Sequence, residues 1–132
     1  MILVDSCVLL DLIDRDPAWE QWSAGQIAAQ SLVDELFVNP IVYAEIAARY
    51  AASADVDRIL DAAGLRFMGI PPEAAFFAAK AYQQYRQRGG TRTSLLPDFF
   101  IGAHAAVLGC PLLTRDVRRF ASYFPMIPLI AP

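Results

Sequence analysis

The chain has 132 residues, 56% of them apolar and 19% charged, with a formal net charge of −3. That length suits one domain with a substantial core, and that balance excludes a disordered chain. The longest run free of Asp, Glu, Lys and Arg, Phe99 to Thr114, is too short and too broken by Gly102, His104, Gly109 and Pro111 to span a bilayer.

No basic segment precedes the first apolar residues and Asp5 interrupts them early, so no signal peptide is expected and a cytoplasmic location is the default. Cys7 and Cys110 form neither a metal-type pair nor a disulfide framework, and both are expected to pack in the interior. Charge is unevenly spread. Residues 1–66 carry eleven acids and four arginines, a net of −7, whereas residues 67–132 carry three acids and seven bases, a net of +4. A basic half is compatible with a polyanionic partner bound on one side.

In chain order, Ile2–Val4 predicts a short strand and Cys7–Asp14 a helix. Pro17 opens another helix, reaching about Gln30. Leu36–Val38 predicts a second strand, and Pro40 starts a helix through about Ala52. Asp55–Ala63 is helical in pattern and ends at Gly64, a suitable C-cap. Leu65–Ile70 predicts a third strand. A long helix from about Glu73 to Arg88 is stopped by Gly89 and Gly90, and Pro97 opens the next, ending near Gly109. Leu112–Leu113 predicts a fourth strand, Val117–Tyr123 a short helix and Pro128–Ile130 a fifth strand. Strands alternating with helices predict a single α/β domain over residues 1–132, a mostly parallel sheet of four to five strands with helices on both faces.

Such sheets hold ligands beyond the carboxyl ends of their strands, where the strand order reverses. Four acids are placed to meet there. Asp5 follows the first strand and Asp116 the fourth, Glu45 lies on the helix after the second, and Asp98 lies in the first turn of the helix that feeds the fourth. Asp5 or Asp116 taken alone reads better as a helix cap, and Asp98 could be a first-turn acid favoured by the helix dipole. Glu45 is harder to dismiss. It is the only charge between Pro40 and Ala48, Ile41 and Ala48 share its face, and its one competing explanation is a pair with Arg49. If the four lie within about 5 Å of one another, each like-charge pair costs roughly 3 kcal/mol at an effective dielectric of about 20. Such a cluster must protonate or hold a cation, and all-oxygen donors suit Mg²⁺ or Mn²⁺ rather than zinc. His104 lies six residues beyond Asp98 and is expected to pack or hydrogen-bond.

The stretches MILVDSCVLLDLID, PDFFIGAHA and LLTRDVRRF, with the isolated Glu45 between them, resemble the PIN-domain ribonucleases, and among them the VapC toxins of bacterial toxin–antitoxin pairs. The resemblance covers essentially the whole chain. It implies a PIN-like parallel sheet flanked by helices and endonucleolytic cleavage of RNA. It also implies one or two Mg²⁺ or Mn²⁺ ions among Asp5, Glu45, Asp98 and Asp116, and a cognate antitoxin that inserts a peptide, often with an arginine, into the acidic pocket. A homodimer is expected on the same ground. One departure stands out. Many relatives carry a further acid two or three residues after the one matching Asp116, where this chain has Arg118 and Arg119, which removes a donor for a second ion and adds positive charge at the rim.

The expected chemistry is metal-assisted phosphodiester hydrolysis. Asp5, Asp98 and Asp116 are the expected metal ligands, Asp116 directly or through water, and Glu45 would orient the attacking water or complete the shell. Ser6 and Thr114 place hydroxyls beside these acids, either to fix them or simply to cap and end the local elements. Arg86, Arg88, Arg92 and Arg115 are candidate RNA contacts, with Gly89 and Gly90 permitting close approach. At a helix C-terminus, Arg86 and Arg88 are equally suited to complementing the dipole. Trp19, Trp22, Tyr82 and Tyr85 could stack bases, though their helical spacing fits core or interface positions. Two other classes compete. A Mg²⁺-dependent phosphatase would use Asp5 as nucleophile, but wants an acid two residues later, where Cys7 stands. A non-catalytic regulatory domain would bind metal without hydrolysis.

Overall fold

A strand of three residues forms part of a core only when both its faces are covered. Ile2–Val4 (β1) meets that condition, with every side chain buried. The computed structural model describes residues 1–132 and places β1 at the centre of a five-stranded sheet in the order β3-β2-β1-β4-β5. The other strands are Leu36–Val38 (β2), Leu65–Phe67 (β3), Leu112–Leu113 (β4) and Leu129–Ile130 (β5), and every pairing is parallel. Parallel neighbours require crossovers, and seven helices supply them: Ser6–Ile13 (α1), Glu20–Ser31 (α2), Pro40–Ala47 (α3), Ser53–Ala62 (α4), Pro72–Gln87 (α5), Leu96–Leu108 (α6) and Val117–Tyr123 (α7). A 3-10 turn, Thr93–Leu95, leads into α6.

Continuous apolar runs make β1, β2 and β4, as expected for strands buried on both faces, whereas the edge strand β3 carries Arg66 and exposes it with Phe67. Twenty-six buried residues form one core, including Leu3, Phe37, Ile46, Ile101, Leu112 and Phe120. Each fully buried Leu, Ile or Phe contributes about 1.5–3 kcal/mol relative to exposure. Proline at the first turn opens α3, α5 and α6, and Asn39 caps α3 by accepting from the Ile41 and Val42 amides, both at 3.0 Å. Gly102 on α6 has a packing reason. A Cβ there would lie 2.3 Å from the Phe124 ring, so only glycine lets α6 and the residue after α7 approach so closely.

Three boundaries differ from the sequence reading. The helix opened by Pro40 ends at Ala47, not near Ala52. The chain turns through Arg49 and Tyr50, and the extended Ala52 starts α4. The third strand stops at Phe67, short of Ile70. Its partner β2 has already ended at Val38, and after the Met68 amide donates to the Val38 carbonyl there is no further strand to pair with. Pro17 does not open a helix directly: Asp16 gathers the Ala18 and Trp19 amides at 2.8 and 3.0 Å, and α2 begins at Glu20.

The sheet order reverses between β1 and β4. Leu3 and Val4 pair with Leu112 and Leu113, so the residues after these strands leave the sheet side by side. The Asp5 amide donates to the Leu113 carbonyl at 2.9 Å, which fixes that exit. On the other side β1 pairs with β2, so α3 starts at the same end of the sheet.

Candidate metal centre at the sheet switch point

Asp5 is 6% exposed and holds an extended backbone before α1. Its Oδ1 accepts from the Ser6 amide at 2.8 Å. Its Oδ2 faces across to β4, accepting from the Thr114 hydroxyl at 2.7 Å and from the Cys7 thiol at 3.4 Å. Thr114 also accepts from the Asp116 amide at 3.0 Å, so one buried hydroxyl positions two of the acids. Burial holds the Asp5 carboxyl above the usual carboxylate range, outweighing three hydrogen bonds that act the other way, and Asp116 adds to the rise.

Glu45 reaches the pocket from α3. Its Oε1 accepts from the Ser6 hydroxyl at 3.1 Å, so the Ser6 amide serves one acid and its side chain another. Arg49 is not its partner. That guanidinium forks onto Asp14 at 3.0 Å through both Nε and Nη2. Glu45 stays exposed on one side, yet desolvation raises its carboxyl, and the charges of Asp5 and Asp98 add to it.

Asp98 lies in the first turn of α6 and Asp116 precedes α7, where its side chain accepts from the Arg119 amide at 3.2 Å. The Arg119 guanidinium lies between them, with Nη1 2.5 Å from Asp98 Oδ2 and 3.4 Å from Asp116 Oδ2. Even with that cation adjacent, burial dominates and Asp98 remains raised, with Asp5 and Asp116 contributing. All four acids therefore gather at the switch point. No three His, Cys, Asp or Glu side chains are arranged as a ready-made metal cage in this conformation. The donor chemistry nevertheless fits a hard cation: carboxylates alone, at least three of them held above their usual range by burial and by one another, with the one neutralising charge supplied by a side chain.

Cys7 is a correction. Cys110 is buried in the core as expected, but Cys7 is half-buried beside Asp5 and Thr114, and burial with the Asp5 charge pushes its thiol up to about 12. It is a neutral donor to the site and a poor nucleophile. His104 lies apart from the acids, its Nδ1 3.3 Å from the Asn39 side-chain amide and its ring edge-on to Phe37, and burial lowers its pKa.

The arginines divide. Arg92 lines a groove of about 250 Å³ with Asp116, Arg118, Arg119, Ser122 and Tyr123, so it shares a surface with Asp116. Arg88 lines a neighbouring groove of about 340 Å³ with Tyr85, Gly89 and Gly90, and Ser122 and Tyr123 border both. Arg86 is exposed at the end of α5. Arg115 points elsewhere. Its Nε and Nη2 bind the two oxygens of buried Asp11 at 2.7 and 2.8 Å, and its guanidinium lies 5.0 Å from the Trp19 ring. Asp11, which also accepts from Ser23 at 2.6 Å, went unnoticed in the sequence although it sits among Leu9, Leu10, Leu12 and Ile13. Tyr82 and Tyr85 pack with Phe99 in an aromatic cluster.

Three solved structures share this architecture. VapBC2 from Rickettsia felis, solved with a promoter DNA fragment, matches with a TM-score of 0.75 at 17% identity, covering 100% of this chain and 99% of that one. VapBC-1 from nontypeable Haemophilus influenzae matches at 0.71 and 18%, covering 99% and 98%. A toxin–antitoxin complex from Klebsiella pneumoniae matches at 0.65 and 21%, covering 98% and 96%. At these identities the likeness establishes the fold. No curated protein matches the sequence. The model of the PIN domain family matches residues 2–123, from the central strand through the last helix, and the chain belongs to that family.

Proposed function

We propose that the chain is a Mg²⁺- or Mn²⁺-dependent endoribonuclease, the toxin of a VapBC-type pair. The observation that carries this reading is the gathering of Asp5, Glu45, Asp98 and Asp116 from four separate segments, with one arginine side chain set between Asp98 and Asp116 and no cation at Asp5. Asp5, Asp98 and Asp116 would hold the cation. Once bound, it supplies Lewis acidity and lowers the pKa of a coordinated water. Thr114 keeps Asp5 aimed across the β1–β4 gap, and Ser6 holds Glu45 where it can orient the attacking water. The grooves bordered by Arg88 and Arg92 lead away from Asp116 and suit the phosphates of a strand entering or leaving.

PIN family membership and the toxin–antitoxin assemblies among the structural neighbours support a cognate antitoxin as partner. A homodimer belongs to the same reading. The phosphatase alternative is disfavoured by Cys7, whose protonated thiol stands where a second acid is needed.

The test is cleavage of defined single-stranded RNA by the purified chain with Mg²⁺, with Mn²⁺ and with EDTA. Metal-dependent internal cuts, lost in Asp98→Asn, are expected; a folded protein that binds Mn²⁺ but leaves RNA intact would overturn the nuclease assignment. Replacing Arg86, Arg88 and Arg92 together should weaken RNA binding and flatten its dependence on salt.

A further inference from the structure

Arg119 stands out among the arginines by how it is held. Arg49 forks onto Asp14 and Arg115 forks onto Asp11, each through two nitrogens to two oxygens of one carboxylate. Arg119 instead places one nitrogen, Nη1, between carboxylates on two different helices' starts, while its Nε and Nη2 donate to no protein group. A single-nitrogen contact bridging two acids is the contact a point cation makes, and it forgoes the paired geometry in which guanidinium binds best. Its reach extends further, since its charge also acts on Glu45.

We propose that Arg119 is the built-in counterion of the acidic pocket, holding in the metal-free protein the place between Asp98 and Asp116 that a divalent cation takes, and giving that place up when the cation binds. This rests on the metal-site reading above. Two charges of the same sign cannot share the space between those two carboxylates, so cation entry and the Arg119 contact exclude one another. The displaced side chain has room. The groove of about 250 Å³ beside Asp116 is lined by Arg119 itself together with Arg92 and Arg118. Arg119 thus sets a threshold on cation binding: the metal-free pocket is partly compensated from within at Asp98 and Asp116, and affinity for the ion is lowered by the strength of the contact it must break.

The experiment measures Mn²⁺ binding to the full chain by titration calorimetry and electron paramagnetic resonance, with thermal melts in EDTA. Arg119→Gln should bind Mn²⁺ about tenfold more tightly than the unaltered protein. It should also melt at a lower temperature in EDTA, because its acids lose their partner, and recover when Mn²⁺ is added. Arg118→Gln removes the same charge without the contact and should shift Mn²⁺ affinity much less. In the unaltered protein, the Arg119 Nε–H resonance should move as Mg²⁺ is titrated, which needs no variant to fold. Equal Mn²⁺ affinity in Arg119→Gln and the unaltered chain, or an Arg119 resonance unmoved at saturating Mg²⁺, overturns the counterion proposal and leaves the nuclease reading standing. Absence of Mn²⁺ binding in every form overturns both.

Discussion

Two buried aspartates, one capping α1 and one within it, are treated in opposite ways. Asp11, on α1, is 3% exposed and fully partnered: Ser23 donates to it, and Arg115 forks onto both its oxygens. Asp5, just before α1, is 6% exposed and receives only neutral donors, an amide, a hydroxyl and a thiol. No cation of the protein touches Asp5, and its ionised neighbours are acids. One carboxylate is compensated in place and joins α1 to the segment after β4. The other is left costly, which is the condition for binding something from outside. Burial alone does not single out a candidate site acid; burial without a positive partner is what sets Asp5 apart from Asp11.

The largest expected effect sharpens that contrast. Asp5→Asn should reduce single-turnover RNA cleavage on the order of a thousandfold, while the melting temperature in EDTA stays at or above that of the unaltered protein. Asp98→Asn should lose cleavage to the same degree, and the double variant little more, since the ligands of one site act as a unit. A cap-only role for Asp5 predicts full activity in Asp5→Asn, because Asn caps about as well.

Asp11→Ala should do the reverse. Breaking this pair strands Arg115 and should cost about 3 kcal/mol in urea unfolding, at the low end for buried pairs because Arg115 retains 25% exposure. In the fraction that remains folded, Mn²⁺ affinity should be largely preserved. Collapse of Mn²⁺ binding at full stability would erase the distinction between the two acids.

Thr114→Val removes the hydroxyl that donates to Asp5 and accepts from the Asp116 amide. Metal affinity should fall about tenfold, as measured by Mn²⁺ titration.

The smallest effect is in pH. The folded-state carboxyls of Asp5, Glu45 and Asp98 are raised, so the folded protein holds protons more tightly than the unfolded chain. Their contribution to stability is therefore fully present below the ordinary carboxylate pKa and is lost as pH rises through the raised values. In EDTA, any stability advantage of Asp5→Asn over the unaltered protein should shrink as the pH is lowered from 7 into that range. A difference in melting temperature that is constant with pH would contradict the raised Asp5 carboxyl.

The order of elements and the four acids are legible in the sequence because both are local signals. Apolar runs mark strands buried on both faces, prolines mark helix starts, and an acid directly after a strand marks the carboxyl edge of the sheet. The pairing of charges is not legible. Arg49 stands one turn after Glu45 and yet binds Asp14, 35 positions away, because α1 and α3 pack together. Arg115 binds Asp11 at a separation of 104, and Arg119 binds Asp98 at 21, distances at which periodicity says nothing. Asp11 was within reach by the criterion that singled out Glu45, a lone acid among aliphatic neighbours. The end of α3 and the end of β3 were not, since each depends on where another element stops.

The four acids come from the beginning, the first half and the last third of the chain, and Asp116 lies just after β4, at the start of α7. No fragment ending before β4 can assemble the pocket, however well its own helices form. The Thr114–Arg119 segment supplies the hydroxyl that Asp5 accepts from and the guanidinium that Asp98 binds. Topology thus ties the completion of the pocket begun at the first strand to the segment that follows the fourth.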